Sequence, residues 1–304
     1  MTNPAQTKAA SISKENTGLI LGMLGVIGFS ATLPATRLAV GYLDPTLVGL
    51  GRSLVAAVLA LGLLLYIRQP TPNGRQIKSL FIAASGVIVG FPLLSAWAMQ
   101  QLPAAHGAIV IAILPLFTAI AGAVRTHERP SLGFWLASLA GSATVLAFAA
   151  LSSNGGLQMA DLILLAAAMV CAVGYAEGGH LAKELGGWQV ICWALVLVAP
   201  FLIIPVGIAI YQHGMTAPKE AWFAFAYVSL VSQLFAFFLW YQGLAMGGVV
   251  RVSQVQLLQP FFTLGVSAVL LGEQITTIML IVTMIVVTMV AIGRRMPITK
   301  AKIP

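Results

Sequence analysis

Ten apolar stretches, each close to the length that a bilayer demands of a helix, fill almost the whole chain. A hydrocarbon layer about 30 Å thick takes about 20 residues of helix. The stretches run over residues 17–40, 45–67, 78–99, 104–124, 132–151, 159–181, 187–211, 220–242, 247–271 and 275–293. The connections are short except around Gln69–Lys78 and Gln212–Lys219, so no linker can hold a soluble domain. Charged residues make up only 8% of the chain, where a soluble domain has about a quarter, so an all-α integral membrane protein of ten transmembrane helices is expected.

The formal charge of +8 does not signal nucleic-acid binding, because the basic residues sit in short loops where they set orientation. With the N-terminus inside, thirteen of the sixteen Lys and Arg fall in inner segments, Lys219 falls outside, and Arg37 and Arg52 lie within or near spans. The positive-inside rule then places both termini in the cytoplasm. Residues 1–16 and 294–304 are expected as cytoplasmic tails, with no cleaved signal. Cys171 and Cys192 both fall in apolar spans, so no structural disulfide is expected.

The chain also repeats itself. Pro115-Leu116-Phe117-Thr118 is followed by Glu128, and Pro260-Phe261-Phe262-Thr263 is followed by Glu273, both at an offset of 145. Earlier in each half the offset is 143; it maps Leu19-Ile20-Leu21 onto Leu162-Ile163-Leu164, Leu38-Ala39 onto Leu181-Ala182, and Trp97 onto Trp240. Each copy, 17–151 and 159–293, holds five spans. An odd number forces the copies to lie inverted to one another, an arrangement that builds a binding site near the bilayer midplane.

These residues resemble the drug/metabolite transporter superfamily, in its ten-span form built from two EamA repeats. The resemblance is carried by Pro115, Phe117 and Glu128, by Pro260, Thr263 and Leu271-Gly272-Glu273, and by Arg52 in the second span. Tyr175-Ala176-Glu177-Gly178-Gly179-His180 with Gly186-Gly187-Trp188-Gln189-Val190 is similar to the YddG-type branch of bacterial aromatic amino-acid exporters. The family implies eight spans around a central cavity, the fifth and tenth packed peripherally, and export of small metabolites without ATP hydrolysis.

An intramembrane polar residue is costly unless it faces a cavity or a partner. Gln256, Gln259, Thr263 and Ser267 of the ninth span fall within about 80° of one another at 100° per residue. Their amides suit a zwitterion or a peptide-like group; helix–helix hydrogen bonding is the plainer role. Gln254 points away from them. Ser229, Gln233, Ala236 and Trp240 form a second stripe in the eighth span. Trp240 and its repeat mate Trp97 could stack on an aromatic substrate or sit in the aromatic belt. Tyr175 and Trp193 are further aromatic candidates.

Of the prolines inside spans (Pro34, Pro92, Pro115, Pro200, Pro205 and Pro260), the matched pair Pro115 and Pro260 are the hinge candidates, since proline removes a backbone donor and frees a carbonyl. Arg37 and Arg52 are candidates for a substrate carboxylate, or else snorkel to phosphates. Arg37 is the repeat mate of His180, and His106 that of Arg251. Glu177 pairs with His180 three residues on, or serves as a protonation site.

No GxxxxGK[ST] loop, HExxH or Cys/His cluster occurs, so neither a cofactor nor a metal is expected, and no enzyme activity. The expected partners are a small-molecule substrate and the bilayer, with no nucleic acid and no obligatory protein. The leading reading is a secondary exporter of amino acids, aromatic or hydrophobic, working by alternating access of inverted repeats. A nucleotide-sugar, sugar-phosphate or drug-like metabolite exchanger is the alternative. A channel, or an intramembrane hydrolase built on Ser30, belongs to a different class.

Overall fold

Inside hydrocarbon every backbone N–H and C=O must find a partner within the protein, and apolar helices achieve this segment by segment. The computed structural model describes residues 4–125, 128–152, 158–296 and 298–300. Among the described residues, eight helices are long and apolar enough to cross a membrane: α1 (Asn16–Val40), α2 (Leu47–Ile67), α3 (Gly74–Met99), α4 (Ala104–Arg125), α5 (Leu132–Leu151), α6 (Met159–Leu185), α7 (Gly187–His213) and α8 (Lys219–Gly247). Two shorter apolar helices follow, α9 (Val255–Leu271) and α10 (Thr277–Gly293). The ninth stretch, expected as one helix from residue 247, is instead a short helix Val249–Val252, a 3-10 segment Ser253–Leu258 and an α-helix from Gln259. A pure helix bundle was expected, yet β1 (Glu128–Pro130) pairs antiparallel with β2 (Ile298–Lys300).

Local signals set the helix ends. Asn73 and Gln76 form a reciprocal capping box at the start of α3. Asp44 accepts from the backbone N–H of Thr46 and Leu47 at the start of α2, and Thr276 caps α10. Gly272 ends α9 at φ 66°, a left-handed position that glycine takes at least cost.

Small residues let backbones approach where helices pair. Along the α1–α8 seam, a Cβ on Gly18 would stand 2.6 Å from the backbone of Gly247, and one on Gly243 would stand 2.8 Å from Gly22. In the α3–α6 seam, a Cβ on Gly86 would stand 2.3 Å from the Val170 carbonyl oxygen. α2 packs along α7, and α5 packs along α10. Leu132, Leu136, Leu139 and Ile278 on that last pair are exposed on the bundle surface.

Contacts between connecting segments sort them into two ends. At one end Glu273 reaches the start of α4, His213 meets Asp44 at 3.3 Å, and His106 meets Asp161 at 2.7 Å. At the other, Arg75 pairs with Glu184, Arg125 pairs with Glu177, and the α4–α5 connection pairs with the C-terminal strand. Gly86→Ala is expected to destabilise the protein by about 1–3 kcal/mol through overpacking. Gly207→Ala, where nothing lies within 4 Å, is expected to be silent; thermal unfolding in detergent measures both.

Candidate functional site

Seven helical segments enclose a cavity in the middle of the bundle. Its wall is Phe29, Thr32 and Leu33 of α1, Arg52 of α2, Val87 and Phe91 of α3, and Ala108, Ile111, Leu114 and Pro115 of α4. Cys171 and Tyr175 of α6, Ser232 and Phe237 of α8, and Gln256, Gln259, Pro260 and Thr263 around α9 complete it. The centres of water molecules have only about 30 Å³ in which to move. A water needs about 10–15 Å³ on that measure, so this conformation holds a few waters and no larger solute.

The helices that line the cavity lose their regular bonding at its level. α1 is interrupted at Ala31, four residues before Ala35 and three before Pro34. α3 passes through a π-helical stretch at Ser85–Gly90, followed by Pro92. α4 breaks at Ala112 and Ile113 ahead of Pro115, and the 3-10 stretch Ser253–Leu258 stands ahead of Pro260. α8 is π-helical over Tyr227–Phe235. Proline deprives the carbonyl four residues back of its donor. Pro92 follows a π-helical stretch, where bonds run five residues back, so the carbonyls at this turn are Val87 and Ile88, and Ser53 Oγ donates to that of Ile88 at 3.1 Å. Gln233 Nε2 donates to the neighbouring Val87 carbonyl at 3.1 Å. Thr32 and Ser232 join α1 to α8 through a 2.8 Å hydroxyl pair.

Two lining side chains have unsatisfied polar atoms. Arg52 is 2% exposed and makes no hydrogen bond or ion pair among the described residues; its Nε and Nη1 are buried without a partner. Gln256 is equally buried, and both its amide oxygen and its amide nitrogen lack partners. One face of the cavity is aromatic. Phe29 packs edge-on against Phe237 at 4.9 Å, and Trp240 packs behind Phe29 and Tyr175 at 6.2 and 5.4 Å.

Of the residues singled out in the sequence, Arg52, Tyr175, Gln256, Gln259, Thr263, Pro115 and Pro260 meet at this cavity. Trp240 is buried one layer behind it, while Trp97 is 39% exposed and its pairing with Trp240 around a ligand has no counterpart here. Ser229 and Gln233 are spent on the carbonyls of Phe225 and Val87. The π stretch widens the turn to i→i+5 bonding and rotates the stripe, so that Ser232 and Phe237 face the cavity instead. Ser267 is buried outside the lining, and Trp193 is packed into the core surface. Arg37 donates to the Met99 carbonyl and borders a separate surface cleft with Pro103 and Glu273. The side chains of Glu128, Arg251 and Gln254 lie outside the described residues.

Glu177 departs from the expected partner. Its carboxylate takes Arg125 Nε at 2.8 Å, while His180 is exposed on the helix surface. A second buried acid was missed in the sequence. Asp161 lies in the first turn of α6, fully buried, with one oxygen 2.7 Å from His106 Nε2 and the other on the Gln158 N–H. An acid at a span end was the available signal; its partner is 55 residues away. At the same end of the bundle the Glu273 carboxylate accepts from the backbone N–H of Ala104 at 2.8 Å and of Ala105 at 2.6 Å. A carboxylate on the exposed donors of a helix start is favoured by charge and by hydrogen bonding together. Near Arg125 and Glu177, a larger cleft of about 720 Å³ for water centres opens between α3, α4 and α6.

A bundle of apolar spans with a polar chamber at its centre, lined by interrupted helices, is the build of a membrane transporter. The EamA-like transporter family model matches residues 16–150 and again 158–292. The chain belongs to the EamA-like transporter family. It is 45% identical over 285 residues to an uncharacterized transporter, YdeK, of Bacillus subtilis strain 168, covering 93% of this chain and 99% of that one. It is 28% identical to a probable terminal-alkyne amino-acid exporter of Streptantibioticus cattleyicolor, covering 83% and 84% of the two chains. A crystal structure shares the fold with a TM-score of 0.64 at 16% identity, over 91% of this chain and 96% of that one.

Glu273→Ala is expected to lower the unfolding free energy by about 1–3 kcal/mol, because two charge-assisted bonds go and two N–H groups lose their partner. Glu220→Ala, which removes an exposed acid from the first turn of α8 with no bond across helices, is expected to cost less, about 0.3–1 kcal/mol in the same detergent melts.

Proposed function

We propose that the protein is a secondary carrier that exports amino acids with apolar or aromatic side chains, using the central cavity as its transport site. The observation that carries this reading is the cavity itself. Residues of both halves of the chain line it, it has room for only a few waters in this conformation, and its walls are interrupted helices. Interrupted helices are where transporters bind and bend. The amino-acid assignment draws on the relative named as an amino-acid exporter. A lining that combines the aromatic cluster of Phe29, Tyr175 and Phe237 with the Gln256 and Gln259 amides supports it.

Two further features of the reading have their own support. The sorting of connections into two ends is what ten spans in two inverted five-helix repeats would give, with repeats over 17–151 and 159–293. The end that holds Arg68, Arg75, Lys78 and Arg125 is the cytoplasmic one on the positive-inside rule, with both termini there. The matched breaks ahead of Pro115 and Pro260 are the hinges about which each half would rock. A sugar-phosphate or nucleotide-sugar exchanger would want several convergent cations, and Arg52 is the one charged side chain in the described lining. A channel would want a continuous water-filled pore, whereas this cavity has room for only a few waters.

Counterflow in proteoliposomes preloaded with unlabelled amino acids tests the reading. Labelled phenylalanine is expected to accumulate saturably in exchange, and Gln256→Ala/Gln259→Ala is expected to cut the rate by tenfold or more. Exchange of no amino acid on the panel would overturn the substrate assignment.

A further inference from the structure

The charge balance of the central cavity restricts the substrate further. Its described lining contains one cation, Arg52, and no carboxylate. The other ionisable side chains in that lining are the Cys171 thiol and the Tyr175 hydroxyl, groups that are ordinarily neutral at pH 7. Four acids at the two ends of the bundle are committed elsewhere. Asp161 is held by His106, Glu177 by Arg125, Glu273 by the start of α4, and Asp44 by the start of α2. A buried cation with nothing opposite it is a costly arrangement in any protein, and more so in a bilayer. A guanidinium presents a rigid fork of donors that fits a carboxylate with two parallel hydrogen bonds.

We propose that Arg52 anchors the carboxylate of the substrate, and that the site is selective for aromatic or branched monocarboxylates whether or not they bear an amino group. The proposal rests on the central cavity as transport site and goes beyond amino acids. A monoanion neutralises the chamber. A zwitterion neutralises Arg52 but brings a second cation, for which the lining offers only neutral acceptors such as Gln256 Oε1. The Gln256 amide, on the other half of the chain, is placed to take a polar substituent beside the carboxylate. Phe29, Phe91 and Phe237 supply the surface for an apolar body. N-acylated amino acids, 2-oxo acids and aryl-alkanoates therefore belong to the same substrate class as phenylalanine.

The test is ligand-induced stabilisation of the detergent-purified protein, run beside competition against labelled phenylalanine in counterflow. The panel is phenylalanine, N-acetylphenylalanine, 3-phenylpropanoate, phenylalaninamide and 2-phenylethylamine. The two acids without a free amine are expected to bind at least as tightly as phenylalanine, and the amide and the amine at least tenfold more weakly. Arg52→Gln is expected to lose carboxylate binding by tenfold or more, with Arg52→Lys partly restoring it. The unliganded melt and elution profile of each variant establish that it folds. If Arg52→Gln does not fold, the wild-type order of acid over amide and the Arg52→Lys affinities decide the matter. Binding of phenylalaninamide equal to that of the acids, carboxylate binding unchanged in a folded Arg52→Gln variant, or stabilisation by none of the three acids would overturn the proposal. Carboxylates that bind through Arg52 while phenylalanine is not exchanged would sink the amino-acid reading alone. Phenylalanine exchange indifferent to Arg52→Gln would sink the Arg52 assignment alone.

Discussion

Backbone polar groups that find no water must find each other, and this protein breaks that rule locally in order to have a chamber at all. Each interruption in α1, α3, α4, α8 and the start of α9 frees backbone groups inside a bilayer. The repair comes from side chains of other helices. Ser53 on α2 and Gln233 on α8 converge on consecutive carbonyls of α3, Val87 and Ile88. Tyr227 does the same for Gly28 on α1, and Tyr241 for Gly174 on α6. Some polar residues in the spans therefore close the backbone account, while others, Arg52 and Gln256 at the cavity wall among them, keep polar atoms without a partner.

That division explains what could be read in the chain and what could not. The run of apolar helices, the matched Pro115 and Pro260, and the cavity positions of Gln256, Gln259 and Thr263 follow from apolar length, repetition and helical phase. The α8 stripe failed because its phase was computed for a regular helix. Nothing in Tyr227–Phe235 announces a π turn, and the turn moves Ser232 and Phe237 inward while Ser229 and Gln233 serve neighbours. Ion partners were harder still. Glu177 has His180 nearby in sequence, but the chosen partner is Arg125, 52 residues away. Asp161 and His106 meet through tertiary packing of α6 on α4, which no local spacing encodes.

The two ends of the bundle are held by different chemistry. One relies on a carboxylate over a helix start and a buried His–Asp contact. The other relies on arginine–glutamate pairs, one largely exposed, and on a short strand pairing that ties the C-terminal segment to the α4–α5 connection. Exposed pairs contribute little, about 0–1 kcal/mol. A wide cleft already lies beside the Arg125 end. A second cleft, bordered by Arg37 and Glu273, lies at the opposite end.

An unpaired Arg52 has a consequence for the cycle as a whole. In the proposed carrier an empty turn moves the two halves past a bare cation, whereas a turn loaded with a monoanion moves them past a neutral pair. Desolvation cost is a property of the charge that is left over, so the empty return is the high barrier of the cycle. Such a carrier turns over faster as an exchanger than as a one-way pump. Its direction in the cell is then set by whichever carboxylate is more abundant on each side of the membrane.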